Sequence, residues 1–280
     1  MRVLVGIVTY NPDMSRLDEN ISAVLNEPVD HVLIFDNGSK EVSQILGYAE
    51  SKGIEIYKNN SNAGIASALR YIMDYAVSKD YDWVMTLDQD SVIKPGLVSE
   101  YKAYASKLKD SAMLTCVIQD RNFQDEISHD SKPRKVIRCI TSAAFTNVKS
   151  YQKTEGYDEK MFIDYVDFDM CYSLIEAGFK IYQIPFVGLL HEVGNGKNVS
   201  FLGKQQIVYN HSAFRKYYLI RNSIYCAKKH PQFDSPRKVR LRAWREMLFV
   251  LLYEENKKQK LKRMCRGYLD GIKMSRKKVN

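Results

Sequence analysis

The 280-residue chain is predicted to fold as an α/β protein, a mostly parallel doubly wound sheet followed by a basic helical C-terminal extension. Three observations carry this reading. Short continuous apolar runs recur, as expected of strands buried on both faces of a parallel sheet. Stretches with apolar residues at helical spacing separate them, and that alternation defines the class. Charge then changes sign near residue 210: residues 1–211 carry 22 Lys+Arg against 28 Asp+Glu, and residues 212–280 carry 20 against 5.

The first expected strand is residues 2–8, RVLVGIV. The leading MRVLVGIVTYNPD has a short apolar run and no small-residue cleavage site, so it reads as a strand rather than a signal peptide. Residues 15–27 place Leu17, Ile21, Val24 and Leu25 on one helical face, with Ser15 as the cap. A strand at 31–35 (HVLIF), a helix near 41–52, a strand at 54–57 (IEIY) and a helix near 64–79 follow. Trp83, Val84, Met85 and Leu87 form the fourth strand, 83–87, which runs into Asp88 and Asp90 before a turn at Pro95-Gly96.

Composition narrows the class. With 45% apolar and 27% charged residues the chain is a folded soluble protein, and no apolar run approaches the roughly 18 residues of a membrane span. The five cysteines (Cys116, Cys139, Cys171, Cys226 and Cys265) are scattered, odd in number and free of Cys-x-x-Cys spacing. That pattern favours a reducing cytoplasm over a disulfide framework.

Open α/β sheets bind ligands beyond the carboxyl ends of their strands. The candidate binding residues are therefore Thr9, Tyr10 and Asn11 after the first strand, and Asp36, Asn37, Gly38 and Ser39 after the second. Asn60 to Gly64 follow the third, and Asp88, Gln89 and Asp90 the fourth. Two aspartates one residue apart repel unless a cation lies between them or both reach water. A hard divalent cation takes oxygen ligands and shares them with phosphate, so Asp88 and Asp90 are a candidate metal clasp. Asn62-Ala63-Gly64 opens a helix and offers backbone N–H groups to an anion. Asp36 can accept a hydrogen bond from a pyrimidine N3–H.

Taken in order, VGIVTYNPD, VLIFDNGSK, NNSNAGIASALRYIMDYA and WVMTLDQDSVI resemble the N-terminal half of family 2 glycosyltransferases, inverting nucleotide-sugar enzymes with the A-type fold. MFIDYVDFDMCYSLIEAGFKIYQIPFVGLLHEVG (161–194) resembles their acceptor-side segment, with paired acids opening a helix, a glycine, a strand and a histidine. The resemblance spans roughly residues 3–225. Within the family, TYNP, LDQDS and FIDYVDFD are most similar to bacterial rhamnosyltransferases of cell-surface polysaccharides. It implies a catalytic domain over 1–210, with a nucleotide-binding half to about 95 and an acceptor half beyond it. Residues 211–280 are then the basic helical region.

The resemblance also implies roles. Inverting transfer is one in-line displacement, so charge on the departing nucleoside diphosphate must be stabilised, which a divalent metal, Mg2+ or Mn2+, does. Asp90 is the expected direct ligand, Asp88 contacts the ribose or the metal through water, and His191 lies near the metal or diphosphate. A carboxylate must take the acceptor hydroxyl's proton. Asp164, Asp167 and Asp169 compete for that role; Asp167 aligns with the family's base, and Asp169 becomes a donor-side or structural partner. Thr141-Ser142-Ala143, after the strand-like VIRCI, resembles the small-residue segment beneath the donor sugar, placing Ser142 there. One departure is Ser173, which stands where many relatives carry an arginine that braces the paired acids or the donor.

The tail, RKVRLRAWREMLFVLLYEENKKQKLKRMCRGYLDGIKMSRKK, interleaves charge with Leu241, Trp244, Leu248, Leu251 and Leu252. It reads as amphipathic helices on an anionic membrane, where a lipid-linked acceptor is found, or as a helix docked on the catalytic domain or a second subunit. Nucleic-acid binding would leave the acidic rim unexplained. The expectation is a metal-dependent inverting transferase of the cytoplasm or the inner membrane face, moving rhamnose from a dTDP donor to a surface or lipid-linked glycan. A UDP-hexose or UDP-galactofuranose donor is the alternative within the family, and a noncatalytic nucleotide-binding scaffold the alternative outside it.

Overall fold

The computed structural model describes residues 1–120, 132–191, 197–201 and 204–275. They form two compact units, Met1–Lys160 with Met170–Glu192, and Met161–Asp169 with Val193–Asn280.

In the first unit, strand and helix alternate from the start: β1 (Val3–Thr9), α1 (Met14–Leu25), β2 (His31–Asp36), α2 (Val42–Ser51), β3 (Glu55–Lys58), α3 (Ile65–Ser78) and β4 (Trp83–Asp88). These four strands start and stop within one residue of the expected limits. The cap of α1 differs: the Asp13 side chain accepts from the N–H groups of Ser15 and Arg16. An acid one residue ahead of the helix reaches two free donors, leaving Ser15 inside the first turn. Next come β5 (Val92–Ile93), α4 (Leu97–Lys107), β6 (Ser111–Asp120), β7 (Arg134–Val136), β8 (Ala144–Asn147) and a single turn, α5 (Val148–Tyr151). The helix α6 (Val166–Glu176) and the strand β9 (Lys180–His191) end the series.

The nine strands form one sheet in the order β3-β2-β1-β4-β8-β6-β9-β5, with β7 also on β9. The parallel ladders are β1 with β2 and β4, β2 with β3, and β6 with β9. The antiparallel ladders, β4–β8, β6–β8, β5–β9 and β7–β9, are short. Register decides where the chemistry sits. Thr9 pairs with Asp36, Val8 with Asp88, and Asp36 with Lys58, so four strands end together at one rim.

Burial explains the element choices. All seven residues of β1 are buried, and Leu17, Ile21 and Val24 of α1 turn to the same core. Trp83 and Phe145 stack at 4.8 Å, and Tyr101 stacks on Phe145 at 5.0 Å. Each fully buried aliphatic side chain here contributes about 2 kcal/mol. The turn at Pro95-Gly96 leads into α4, whose free N–H groups at Gly96 and Val98 are capped by the Glu27 carboxylate at 2.6 and 2.9 Å.

The second unit holds a hairpin, β10 (Lys197–Phe201) with β11 (Lys204–Val208), and three helices: α7 (Ala213–Lys229), α8 (Pro236–Tyr253) and α9 (Lys257–Lys273). Ile220, Ile224, Val239, Ala243, Met247, Val250 and Met264 fill its core. The basic helices begin at Ala213, whereas the compact unit starts earlier, at 193, and includes 161–169. Charge marks a change of composition, whereas packing and hydrogen bonds define the unit.

The axes of α7 and α9 approach closely because Gly267 and Gly271 present no side chain. A Cβ at Gly267 would lie 2.4 Å from the Tyr217 carbonyl oxygen, and one at Gly271 2.6 Å from that of Arg221. Gly267→Ala should gain up to about 1 kcal/mol of helix propensity, but the clash is with backbone that cannot move aside. The net expectation is a loss of about 1–3 kcal/mol, measured by urea denaturation.

Candidate active site

Asp36 is the hub of the rim. It is fully buried, and its carboxylate accepts four hydrogen bonds: from Thr9 Oγ1 (3.0 Å), Ser39 Oγ (2.5 Å), and the N–H groups of Gly38 (3.2 Å) and Ser39 (2.9 Å). An ionised carboxylate has about four acceptor positions, and all are filled. Here the structure departs from the expected contact to a pyrimidine N3–H: a carboxylate this deeply buried is a brace. Gly38 permits it, at φ +83° and with a Cβ position 2.7 Å from the Ser61 backbone. No larger residue fits there.

Its neighbours extend the brace. The Asn37 amide donates to Asn62 Oδ1 (3.2 Å) and the Gly64 carbonyl (3.1 Å), while its Oδ1 accepts from Ala63 N–H (3.0 Å). Gly64 N–H donates to Asn62 Oδ1 at 2.9 Å. The 63 and 64 N–H groups, expected to be offered to an anion, are thus used internally, and Asn37 and Asn62 spend their amides on the loop. Gly64 is the N-cap of α3, which has no side-chain cap. Asn11, at φ +48°, donates its N–H to Ser39 Oγ and accepts from Lys40 N–H. Tyr10 is largely exposed, with its N–H on Gln89 Oε1 at 2.7 Å.

The Asp88-Gln89-Asp90 turn leaves β4 half-buried and is held from beneath. The Asn20 amide donates to the carbonyls of Asp88 (2.7 Å) and Ser91 (2.6 Å), and Ser142 Oγ accepts from Asp88 N–H (3.3 Å) and donates to Ser91 Oγ (2.7 Å). Ser142 is buried, so it positions this turn and does not lie open beneath a sugar. Asn20 was overlooked in the sequence; the signal was an asparagine on the apolar face of α1. Two carboxylates are oxygen ligands of the kind a hard divalent cation takes. Among the described residues, no cluster of three His, Cys, Asp or Glu groups could hold a metal. The His191 side chain lies outside the described residues, but its backbone ends β9, where Val92 pairs with Leu190, two residues along from Asp90.

In the second unit, residues 161–169 carry the acid motif on a strained backbone. Phe162, Asp164 and Tyr165 have φ of +63°, +64° and +66°, each costing about 1–2 kcal/mol for a side chain other than glycine. The fully buried Asn222 offsets that strain: its amide donates to the carbonyls of Met161 (2.6 Å), Ile163 (2.7 Å) and Asp164 (3.0 Å). Arg215 pairs with Asp164 Oδ1 at 3.2 Å, while Asp164 Oδ2 is buried without a hydrogen-bond partner. Burial therefore pushes the Asp164 carboxyl above its ordinary value, against the opposing pull of Arg215.

Asp167, half-buried in the first turn of α6, accepts from Phe168 N–H at 2.9 Å. Asp169 is different. It is buried and gives one oxygen to Lys229 Nζ and the other to His230 Nε2, both at 2.9 Å. Both its oxygens are thus engaged within the protein. Lys229 and His230 hold Asp169, the second of the paired acids. Neither they nor Asn222 stood out in the sequence, where they merge with the basic tail.

Beside this motif, a half-open cavity of about 410 Å³ is lined by Tyr165, Tyr209, His211, Lys216, Arg242 and Glu254, among others. Tyr209 and His211 stack at 5.6 Å. Lys216 is buried against Glu254 at 2.5 Å, and Lys260 donates to the other oxygen of Glu254 at 2.9 Å. Burial, reinforced by the positive charges of Arg215 and Lys216, pushes His211 down to about 4.

Parallel strands ending on a braced rim, with a carboxylate pair leaving the central strand, define a glycosyltransferase with the A-type fold. Residues 4–166 match the family described as Glycosyl transferase family 2, and the chain belongs to it. It is 25% identical over 284 residues to dTDP-rhamnosyl transferase RfbF of Shigella flexneri, covering 95% of this chain and 94% of that protein. Among solved structures it is similar to S. aureus TarS 1-349, at 12% identity and TM-score 0.66, covering 97% of this chain and 81% of that one. It is also similar to GalNAc-T7 with UDP, GalNAc and Mn2+, at 14% identity and TM-score 0.64, covering 97% and 56%. At such identities the likeness establishes the fold. With an enzyme family shown, the noncatalytic scaffold is set aside.

Asn222→Ala should destabilise the chain by about 2 kcal/mol, because the carbonyls of Ile163 and Asp164 lose this donor, while that of Met161 keeps Arg221 and the left-handed strain remains; chemical denaturation measures it. His211 yields a pH test. Between its ordinary 6.5 and about 4, the unfolded ring takes a proton that the folded ring refuses, so stability falls as pH drops through that window. Above it the contribution is flat. In thermal melts, His211→Gln should lose less stability than the native chain over that same window.

Proposed function

We propose that the chain transfers rhamnose from dTDP-rhamnose, with inversion and with a divalent cation, to a hydroxyl of a bacterial surface polysaccharide or lipid-linked glycan. The observation that carries the donor is the likeness to a dTDP-rhamnosyl transferase along nearly the whole of both chains. The half-buried Asp88 and Asp90 at the exit of β4 support the cation, as does the fold shared with a protein solved with UDP and Mn2+.

In this reading Tyr10, Asn11 and the start of α3 face the nucleotide, and Thr9, Asp36, Asn37, Asn62, Gly64 and Ser142 keep that surface in shape. Asp90 would hold the cation, Asp88 would reach it through water or bind the ribose, and His191 would lie near the metal or diphosphate. When bound, the cation offsets charge growing on the diphosphate as the anomeric C–O bond breaks. Asp167 accepts the acceptor hydroxyl's proton while that oxygen bonds to the opposite face of the anomeric carbon, which inverts the centre. Asp164 orients the acceptor side through its pairing with Arg215. The reaction runs at the cytoplasmic face of the membrane.

A panel of dTDP- and UDP-sugars with Mg2+ or Mn2+, followed by nucleoside diphosphate release, tests the donor. Turnover should be greatest with dTDP-rhamnose and vanish with chelator; preference for a UDP-hexose or UDP-galactofuranose would replace this reading with the alternative. Asp167→Asn should lower kcat by about 10²–10⁴-fold, the usual worth of a general base, with dTDP affinity changed little. Asp90→Asn should instead weaken cation-dependent donor binding. A D167N chain that retains full turnover would remove Asp167 from the chemistry.

A further inference from the structure

We propose that the outer face of α8 is a docking surface for an anionic lipid bilayer. The helix has two apolar faces. The inner one, Val239, Ala243, Met247 and Val250, is buried against α7 and α9. The outer one leaves five large side chains in water: Leu241 is 71% exposed, Trp244 57%, Leu248 43%, Leu251 51% and Leu252 47%. At 100° per residue these five fall within an arc of about 100°, opposite the buried face.

Apolar surface on that scale marks an interaction site, and the charges around it select the occupant. Arg237 lies within the arc, Arg240 borders one side, and Lys238 and Arg245 border the other, all exposed. The acid of this helix, Glu246, is on another face, where it lines the cavity beside Lys216. A second copy of the chain is a poor occupant. A twofold contact sets the face against itself, bringing these arginines onto their own counterparts in a segment, 212–280, that carries 20 Lys+Arg against 5 Asp+Glu. Anionic headgroups supply the opposite charge, and the hydrocarbon boundary takes up the leucines. Trp244, set against Tyr268 with ring centres 5.6 Å apart, sits where indole rings concentrate in membranes, at the level of the headgroups.

Among the described residues, no helix is long and apolar enough to cross a membrane, so α8 lies on the surface. Its other faces line the cavity next to Tyr165, between Asp164 and Asp167. The helix that rests on lipid therefore also walls the cavity beside the acid motif. Given the reaction proposed above, that arrangement presents the acid motif to acceptors anchored in the same bilayer. Docking itself does not depend on the reaction.

The test uses the full chain with vesicles of phosphatidylcholine alone or mixed with phosphatidylglycerol, separated by sedimentation. Binding should be at least about tenfold stronger to the anionic vesicles and fall with added salt. Because Trp83 is buried, a blue shift of tryptophan fluorescence on vesicle addition reports Trp244 entering the interface. The double variant L248E/L251E should lose the sedimentation and the shift, with unchanged far-UV circular dichroism and melting. Trp244→Ser is a second, milder variant that should weaken binding. Equal binding by L248E/L251E, or no binding of the native chain to anionic vesicles, overturns the proposal. So does a concentration-dependent dimer in light scattering that L248E/L251E abolishes, because the face would then belong to a second copy.

Discussion

A charge taken out of water must be matched within the protein, and this constraint shapes both units of the chain. An ionised carboxylate without partners in a protein interior is prohibitively costly. Asp36 is fully buried, and its four hydrogen bonds join the end of β1 to the turn after β2. In the second unit, Asp169 draws Lys229 and His230 from the end of α7 onto the first turn of α6. Glu254 likewise gathers Lys216 and Lys260. Each acid fixes the chain by what it needs.

The same economy separates brace from contact. A side chain whose acceptors are already filled cannot also receive a ligand without giving up a bond. By burial and bonding Asp36, Asn37, Ser142 and Asp169 belong to the framework, whereas Asp88, Asp90, Tyr10 and Asp167 keep some exposure. The framework is rigid where the chemistry requires it. Asn20 and Ser142 hold the carboxylate-bearing turn from beneath, and Asn222 binds the carbonyls of Met161, Ile163 and Asp164 along the strained stretch ahead of Asp167.

Ser173 marks the departure from the family. Asp169 takes its hydrogen bonds from Lys229 and His230, at the end of α7 and outside the helix that carries the acids. The second of the paired acids is thereby tied to the basic helices of its own unit. That helical region thus contributes to the acid motif as well as to net charge.

Strand and helix alternation, the strand ends that carry polar residues, and the motifs of the family were legible from the sequence, because each is written in neighbouring residues. The apolar run of β1, the Asp-x-Asp leaving β4 and the acids opening α6 are examples. Tertiary structure decided which polar residues are structural, since their partners are distant: Asn20 lies 71 residues from Ser91, and Lys229 lies 60 from Asp169. It also separated the two apolar faces of α8, which helical spacing alone assigned to a single stripe. A hydrogen bond or a buried face is a property of two surfaces that meet, and periodicity in one segment does not specify the other.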